Sequence, residues 1–107
     1  MEPVRISPSE AYRLAKDVNT IVVCAYPDEE TCNKMRLRGA ITRTEFQDRL
    51  LEFKKEQEII FYCAWVGEAT SAGQAMKYMM MGYTNVKFLD GGVEAWKKAG
   101  YEIVGEP

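Results

Sequence analysis

The residue best placed to do chemistry in this sequence is Cys63, which directly follows a short apolar run. That run, Ile59–Tyr62, contains only β-branched and aromatic residues, which predicts a short strand buried on both faces. From Thr70 onward, apolar residues recur at three- and four-residue steps, which predicts a helix. Cys63 is therefore expected at the carboxyl end of a strand, facing a helix start whose N–H groups and dipole favour a thiolate.

The segment between this strand and this helix could hold an anionic sulfur with its backbone. Small residues at several positions allow the chain to curl so that N–H groups converge on the sulfur of Cys63. Thr70 or Ser71 is expected to cap the helix and could add a hydroxyl donor. The predicted substrate-binding residues, through their amides and the helix start, are Ala64, Trp65, Val66, Gly67, Glu68, Ala69, Thr70 and Ser71.

Composition narrows the classes of function. With 107 residues and 47% hydrophobic content, the chain is expected to form a single domain over 1–107 with a sizeable core. Its 14 basic and 16 acidic residues are interspersed, so no basic stripe indicates binding to nucleic acid or to a membrane surface. Since no apolar run of signal-peptide length occurs at the amino terminus, we expect a cytoplasmic protein.

The cysteine and histidine counts exclude several kinds of site. The sequence has no histidine, which rules out Cys–His catalysis and histidine-ligated metals. Its three cysteines, at 24, 32 and 63, fit neither a paired disulfide framework nor a Cys-x-x-Cys zinc site. We therefore expect no metal and no cofactor, and the activation of Cys63 has to come from backbone, helix dipole or a cation.

Predicted strands alternate with predicted helices along the whole chain. Ser7 and Thr42 each precede a helical pattern and carry glutamate three residues later, as helix caps do. Further strands are expected at 20–25 and 85–89, and Gly91 belongs to a tight turn into a last helix. This alternation predicts an α/β fold with a mostly parallel central sheet and helices on both faces.

The segments FYC and TSAGQAMKYMMMGYTNVKFLDGGVEAWKKAGYEI resemble the carboxy-terminal half of a single rhodanese domain. The similarity covers 58–103 closely, and ISPSEAYRLAKD and GAITRTEFQDRL resemble earlier parts of the same domain. The resemblance implies a rhodanese-like fold and a sulfurtransferase that carries sulfane sulfur as a persulfide of Cys63. The sulfur would come from a small donor or a protein persulfide and pass to a thiophilic acceptor, cyanide or a thiol.

The sequence also departs from the family pattern. Cys24-Ala25-Tyr26 stands where the family usually has Asp-x-Arg, and the loop after Cys63 is longer than the common one. The only charge in that loop is Glu68, and the loop lacks the arginine that a cysteine phosphatase needs to bind phosphate. Phosphatase chemistry is therefore disfavoured, whereas a non-catalytic rhodanese module for partner binding or redox sensing stays open.

The remaining cysteines offer a further alternative. Cys24 is expected to close the second strand, where packing is the ordinary role of a small apolar residue. The carboxyl ends of neighbouring parallel strands lie close together, so Cys24 could instead approach Cys63 and resolve its persulfide as a disulfide. Cys32 could do the same from the polar segment 26–38, which is expected to be mostly loop with one turn of helix as the alternative. A thiol-disulfide oxidoreductase using Cys63 with Cys24 or Cys32 therefore remains a third possibility.

Overall fold

The fold is an alternation of short strands and helices, described by a computed structural model for residues 3–63 and 69–104. The strands are β1 (Val4–Ile6), β2 (Ile21–Cys24), β3 (Ile59–Tyr62) and β4 (Val86–Leu89). The helices are α1 (Pro8–Ala15), α2 (Glu29–Lys34), α3 (Arg43–Asp48), α4 (Ala69–Met80) and α5 (Gly92–Lys98), and a 3-10 turn spans Leu50–Glu52.

The four strands form one parallel sheet in the order β1-β4-β3-β2. Cys24 pairs with Tyr62 at the carboxyl ends of β2 and β3, and Phe61 pairs with Phe88 on the other side of β3. β3 is thus an interior strand, and all four of its residues are buried. The predicted α/β class with a parallel central sheet is confirmed, and the parallel order brings all strand ends to one edge.

Helices cover both faces of the sheet, as predicted, because the side chains of β3 alternate between two apolar clusters. Ile60 and Tyr62 belong to the cluster that contains residues of α1, α2 and α5. Ile59 and Phe61 belong to the cluster that contains residues of α3 and α4. In the second cluster, the ring of Phe46 meets that of Phe61 edge-on at a centroid distance of 5.6 Å. Each face of β3 is therefore covered by different helices.

Local signals explain where the early helices begin. The Ser7 hydroxyl accepts a hydrogen bond from the backbone N–H of Glu10 at 3.2 Å, and Thr42 and Glu45 form a capping box. The segment 26–38 was expected to be mostly loop, with one turn of helix as the alternative. It contains the six-residue helix α2, whose first N–H groups meet the carboxylate of Asp28. Hydrogen bonding from the Thr31 hydroxyl lowers the pKa of Asp28.

Among the described residues, no helix is long and apolar enough to cross a bilayer.

A buried tyrosine ties β3 to the chain that follows α2. Tyr62 is fully buried, and its hydroxyl oxygen accepts a hydrogen bond from the backbone N–H of Leu37 at 3.3 Å. Burial raises the pKa of Tyr62 to about 12, because the phenolate would lose its hydration. The neutral hydroxyl is therefore part of the folded structure at any physiological pH.

Replacing Tyr62 by phenylalanine should lower the free energy of unfolding at pH 7 by about 1–2 kcal/mol, because the buried N–H of Leu37 loses its acceptor. The contribution of Tyr62 to the free energy of unfolding also changes with pH in a definite direction. With a folded pKa of about 12, Tyr62 contributes stability that is complete below its unfolded pKa and lost as the pH rises through 12. Urea unfolding at pH 7, 10 and 11 should therefore show the wild-type advantage over Tyr62→Phe shrinking as the pH rises. A constant difference at all three pH values would contradict this interpretation.

Candidate active site

The backbone at Cys63 is held on two sides. The N–H of Ala25 donates to the carbonyl oxygen of Tyr62 at 2.8 Å, which extends the pairing of β2 and β3 by one residue. The N–H of Val93, in the first turn of α5, donates to the carbonyl oxygen of Cys63 at 2.9 Å. The predicted position of Cys63 at the carboxyl end of β3 is thus the position observed, and the residue is only 2% exposed.

The sulfur of Cys63 faces the first turn of α4. Its Sγ lies 3.6 Å from the hydroxyl oxygen of Ser71, a hydrogen-bonding distance for the large sulfur atom. Ser71 is fully buried, so no bulk water competes for this hydroxyl. Thr70 and Ser71 were expected to cap the helix, but α4 begins at Ala69 and both residues lie inside its first turn. From there Ser71 can donate a hydrogen bond to a thiolate or to a sulfur bound on it.

The predicted anion-binding loop is described only in part. Thr70 and Ser71 lie at the helix start, and Ala69 is the first residue of α4. The other members of the predicted set lie outside the described residues; they are Ala64, Trp65, Val66, Gly67 and Glu68. Anion binding by the amides of this loop therefore stays a prediction. At the carboxyl end of the loop it is supported by the position of Ser71 beside the sulfur.

One basic residue makes a contact close to this edge that was not predicted from the sequence. The Nη1 atom of Arg43, the first residue of α3, donates to the carbonyl oxygen of Ala25 at 3.5 Å. Burial raises the pKa of Tyr78 on α4, while a hydrogen bond from Gln47 and the charge of Arg43 lower it in part. Arg43 thus contacts the residue that follows β2, and its charge acts on Tyr78 of α4. The capping signal at Thr42 placed Arg43 at a helix start but could not show which strand end that start adjoins.

The two other cysteines are bonded to each other. Cys24, the last residue of β2, and Cys32 on α2 form a disulfide with a Cα–Cα distance of 6.0 Å. Both are 1% exposed. This pairing was not predicted. Cys24 was expected to pack or to approach Cys63, and Cys32 to approach Cys63, because nothing in the sequence shows that α2 returns to the end of β2.

The sulfur of Cys63 contacts a helix that covers the face of the sheet opposite the disulfide. Cys24 shares the cluster of Tyr62 and Cys32, on the face covered by α1, α2 and α5. Cys63 follows Tyr62 and contacts Ser71 on α4, which covers the other face. The Cys24–Cys63 pairing considered above does not form in this structure, because the sulfur of Cys24 is bonded to that of Cys32. Cys24 is engaged with Cys32 instead.

Comparison with known proteins assigns the family. The model of the rhodanese-like domain matches residues 7–99, which is most of the chain. The chain belongs to the rhodanese-like domain family. The resemblance read from the sequence is thereby confirmed. No curated protein matches this rhodanese-like domain.

Solved structures agree on the fold. A rhodanese-related protein from Thermoplasma volcanium superposes with a TM-score of 0.75 at 18% identity, covering 96% of this chain and 99% of that one. A thiosulfate sulfurtransferase from Pseudomonas aeruginosa gives a TM-score of 0.79 at 17% identity, covering 98% of this chain but 21% of that one. A protein from Rhodopseudomonas palustris described as a possible tyrosine phosphatase superposes with a TM-score of 0.74 at 22% identity, covering 95% of this chain and 85% of that one. At these identities the likeness shows the fold alone.

Replacing Ser71 by alanine should slow alkylation of Cys63 by iodoacetamide about three- to tenfold near neutral pH, because the hydroxyl no longer stabilises the thiolate. The rate is measured by mass spectrometry of the peptide that contains Cys63. Ser9→Ala, an exposed serine on α1, is the matched control and should leave the rate unchanged. Equal rates for Ser71→Ala and wild type would show that the hydroxyl does not act on the sulfur.

Proposed function

We propose that this rhodanese-like domain is a sulfurtransferase that moves sulfane sulfur through a persulfide on Cys63. The observation that carries the proposal is the placement of this sulfur at the carboxyl edge of a parallel sheet, 3.6 Å from a buried hydroxyl in the first turn of α4. Ligands of open α/β sheets bind at this edge, and a helix start favours an anionic sulfur there. Of the three cysteines, Cys63 is the one outside the disulfide.

The proposed reaction has two displacement steps. The thiolate of Cys63 attacks the outer sulfur of a donor such as thiosulfate, a new S–S bond forms, and sulfite leaves with the electron pair of the broken bond. An acceptor thiolate or cyanide then attacks the outer sulfur of the Cys63 persulfide. The products are the acceptor persulfide or thiocyanate, and the Cys63 thiolate is regenerated. No external oxidant or reductant is needed, because the sulfur keeps its oxidation level between donor and acceptor.

Arg43 supports the use of an anionic donor. The predicted loop offers no positive charge, so the sequence alone left the binding of thiosulfate without an evident cation. In the structure the guanidinium of Arg43 contacts the carbonyl oxygen of Ala25, the residue next to the end of β3. A fixed positive charge near this edge lowers the free energy of a bound anion. A small sulfur donor or a protein persulfide is the proposed source, and a thiol or cyanide the proposed acceptor.

Two rival activities receive less support. A cysteine-dependent phosphatase needs the spacing Cys-x5-Arg, and six residues after Cys63 this chain has Ala69, so the phosphate-binding arginine is missing. The Rhodopseudomonas palustris protein, described as a possible tyrosine phosphatase, is similar to this chain in fold alone. A thiol-disulfide oxidoreductase that uses Cys63 with Cys24 or Cys32 needs two of these sulfurs to meet. The pairing of Cys24 with Cys32, across the sheet from the Cys63 sulfur, works against that use.

Thiocyanate formation from thiosulfate and cyanide tests the proposal. Wild type should turn over with parallel double-reciprocal plots, because the donor product leaves before the acceptor reacts. Cys63→Ser should lose this turnover entirely, since a serine hydroxyl forms no persulfide. The matched cysteine control carries Cys24→Ser and Cys32→Ser together and should retain turnover, because neither sulfur takes part in the transfer. Turnover that survives Cys63→Ser would overturn the assignment of the nucleophile.

A further inference from the structure

We propose that Cys24 and Cys32 form a reversible redox pair, and that its reduction by a dithiol makes Cys63 more accessible. This modification site is separate from sulfur transfer. The proposal concerns the exposure of Cys63 and stands whether or not the domain transfers sulfur.

The disulfide fastens a short helix to the end of a strand. α2 has six residues, too few to be stable alone in water, so its position depends on its attachments. One attachment is the bond from Cys32 to Cys24, and another is the Thr42 hydroxyl donating to Glu29 Oε1 at 3.3 Å. The disulfide closes a small ring, with a sequence separation of 8, and contributes less to global stability than one that closes a long loop. The sheet and both apolar clusters can therefore persist when it is open.

The reduced state also fits this site. The Sγ atom of Cys32 lies 3.4 Å from the carbonyl oxygen of Tyr26. A disulfide sulfur has no proton to donate, but the thiol of a reduced Cys32 could donate to this acceptor. The covalent link would then be replaced by a weak hydrogen bond within the same buried surroundings. α2 would be held less tightly, with the thiol of Cys32 still paired.

The pair is coupled to Cys63 through the backbone of β2. Cys24 is paired in register with Tyr62, and the next residue, Ala25, donates its N–H to the carbonyl oxygen of Tyr62. Ala25 is fully buried beside the end of β3, and Cys63 is only 2% exposed, so a reagent reaches its sulfur when neighbouring segments open. Releasing α2 removes the covalent restraint on the chain between Ala25 and Cys32, which should increase such openings.

The redox step is a dithiol–disulfide exchange. One thiolate of the reductant attacks the Sγ of Cys32 when α2 opens locally, the Cys24–Cys32 bond breaks, and Cys24 leaves as a thiolate that takes up a proton. The second thiol of the reductant attacks the mixed disulfide and releases Cys32 as a thiol. The reductant becomes a cyclic disulfide, so two electrons pass from it to the pair and the atoms balance.

Alkylation of Cys63 by iodoacetamide tests this proposal with dithiothreitol as the dithiol. The oxidised protein should be about 2 Da lighter than the reduced protein, corresponding to the loss of two thiol hydrogens. The peptide that contains Cys63 should be alkylated at least about threefold faster in the reduced wild type, because local opening is more frequent. The folded protein should regain the disulfide when the dithiol is replaced by its oxidised form.

The control variant carries Cys24→Ala and Cys32→Ala together. It should show the fast alkylation of Cys63 whether or not dithiothreitol is present. Since the comparison of oxidised and reduced wild type needs no variant, the test holds even if the double variant fails to fold. Equal Cys63 alkylation rates in the two wild-type states, or a disulfide that dithiothreitol reduces only in denaturant, would overturn the proposal. If wild type forms no thiocyanate while dithiothreitol still speeds alkylation of its Cys63, the sulfur-transfer proposal is wrong and the redox proposal stands.

Discussion

The site depends on two backbone hydrogen bonds that hold the chain at Cys63. Ala25 donates to the carbonyl oxygen of Tyr62, and Val93 donates to that of Cys63 itself. These bonds join the end of the interior strand β3 to β2 on one side and to α5 on the other. A cysteine at the end of an edge strand would lack one of these neighbours. The position of the sulfur is thus fixed by the sheet, and the first turn of α4 is brought to it.

The Cys24–Cys32 disulfide and the sulfur of Cys63 lie beside different apolar clusters of the sheet. Tyr62 points with Cys24 and Cys32 into one apolar cluster, whereas the sulfur of Cys63 contacts Ser71 beside the other. The disulfide can therefore change its redox state without direct exchange with Cys63. Any influence it has on Cys63 passes through the backbone of β2 and the restraint on α2.

Local patterns were enough to predict most of the architecture. The apolar run of β3, the capping signal at Ser7 and the period of α4 depend on neighbours in the sequence, and the structure agrees with each of them. The Cys24–Cys32 disulfide was not predicted, because it requires α2 to return to the end of β2. The contact of Arg43 with Ala25 was not predicted for a related reason, since it depends on how α3 packs against the sheet. The sequence therefore predicted the strands and helices better than it predicted how the short helices α2 and α3 pack against the sheet.

The central claim is that Cys63 itself carries the transferred sulfur, and intact mass tests it most directly. After incubation with thiosulfate, or separately with a small persulfide donor, the protein should gain about 32 Da, one sulfur atom, at Cys63. Cyanide or dithiothreitol should remove that mass, and the Cys63→Ser protein should never acquire it. If neither donor adds sulfur to a Cys63 that iodoacetamide still alkylates, the claim is wrong, and the domain acts as a binding or redox-sensing module.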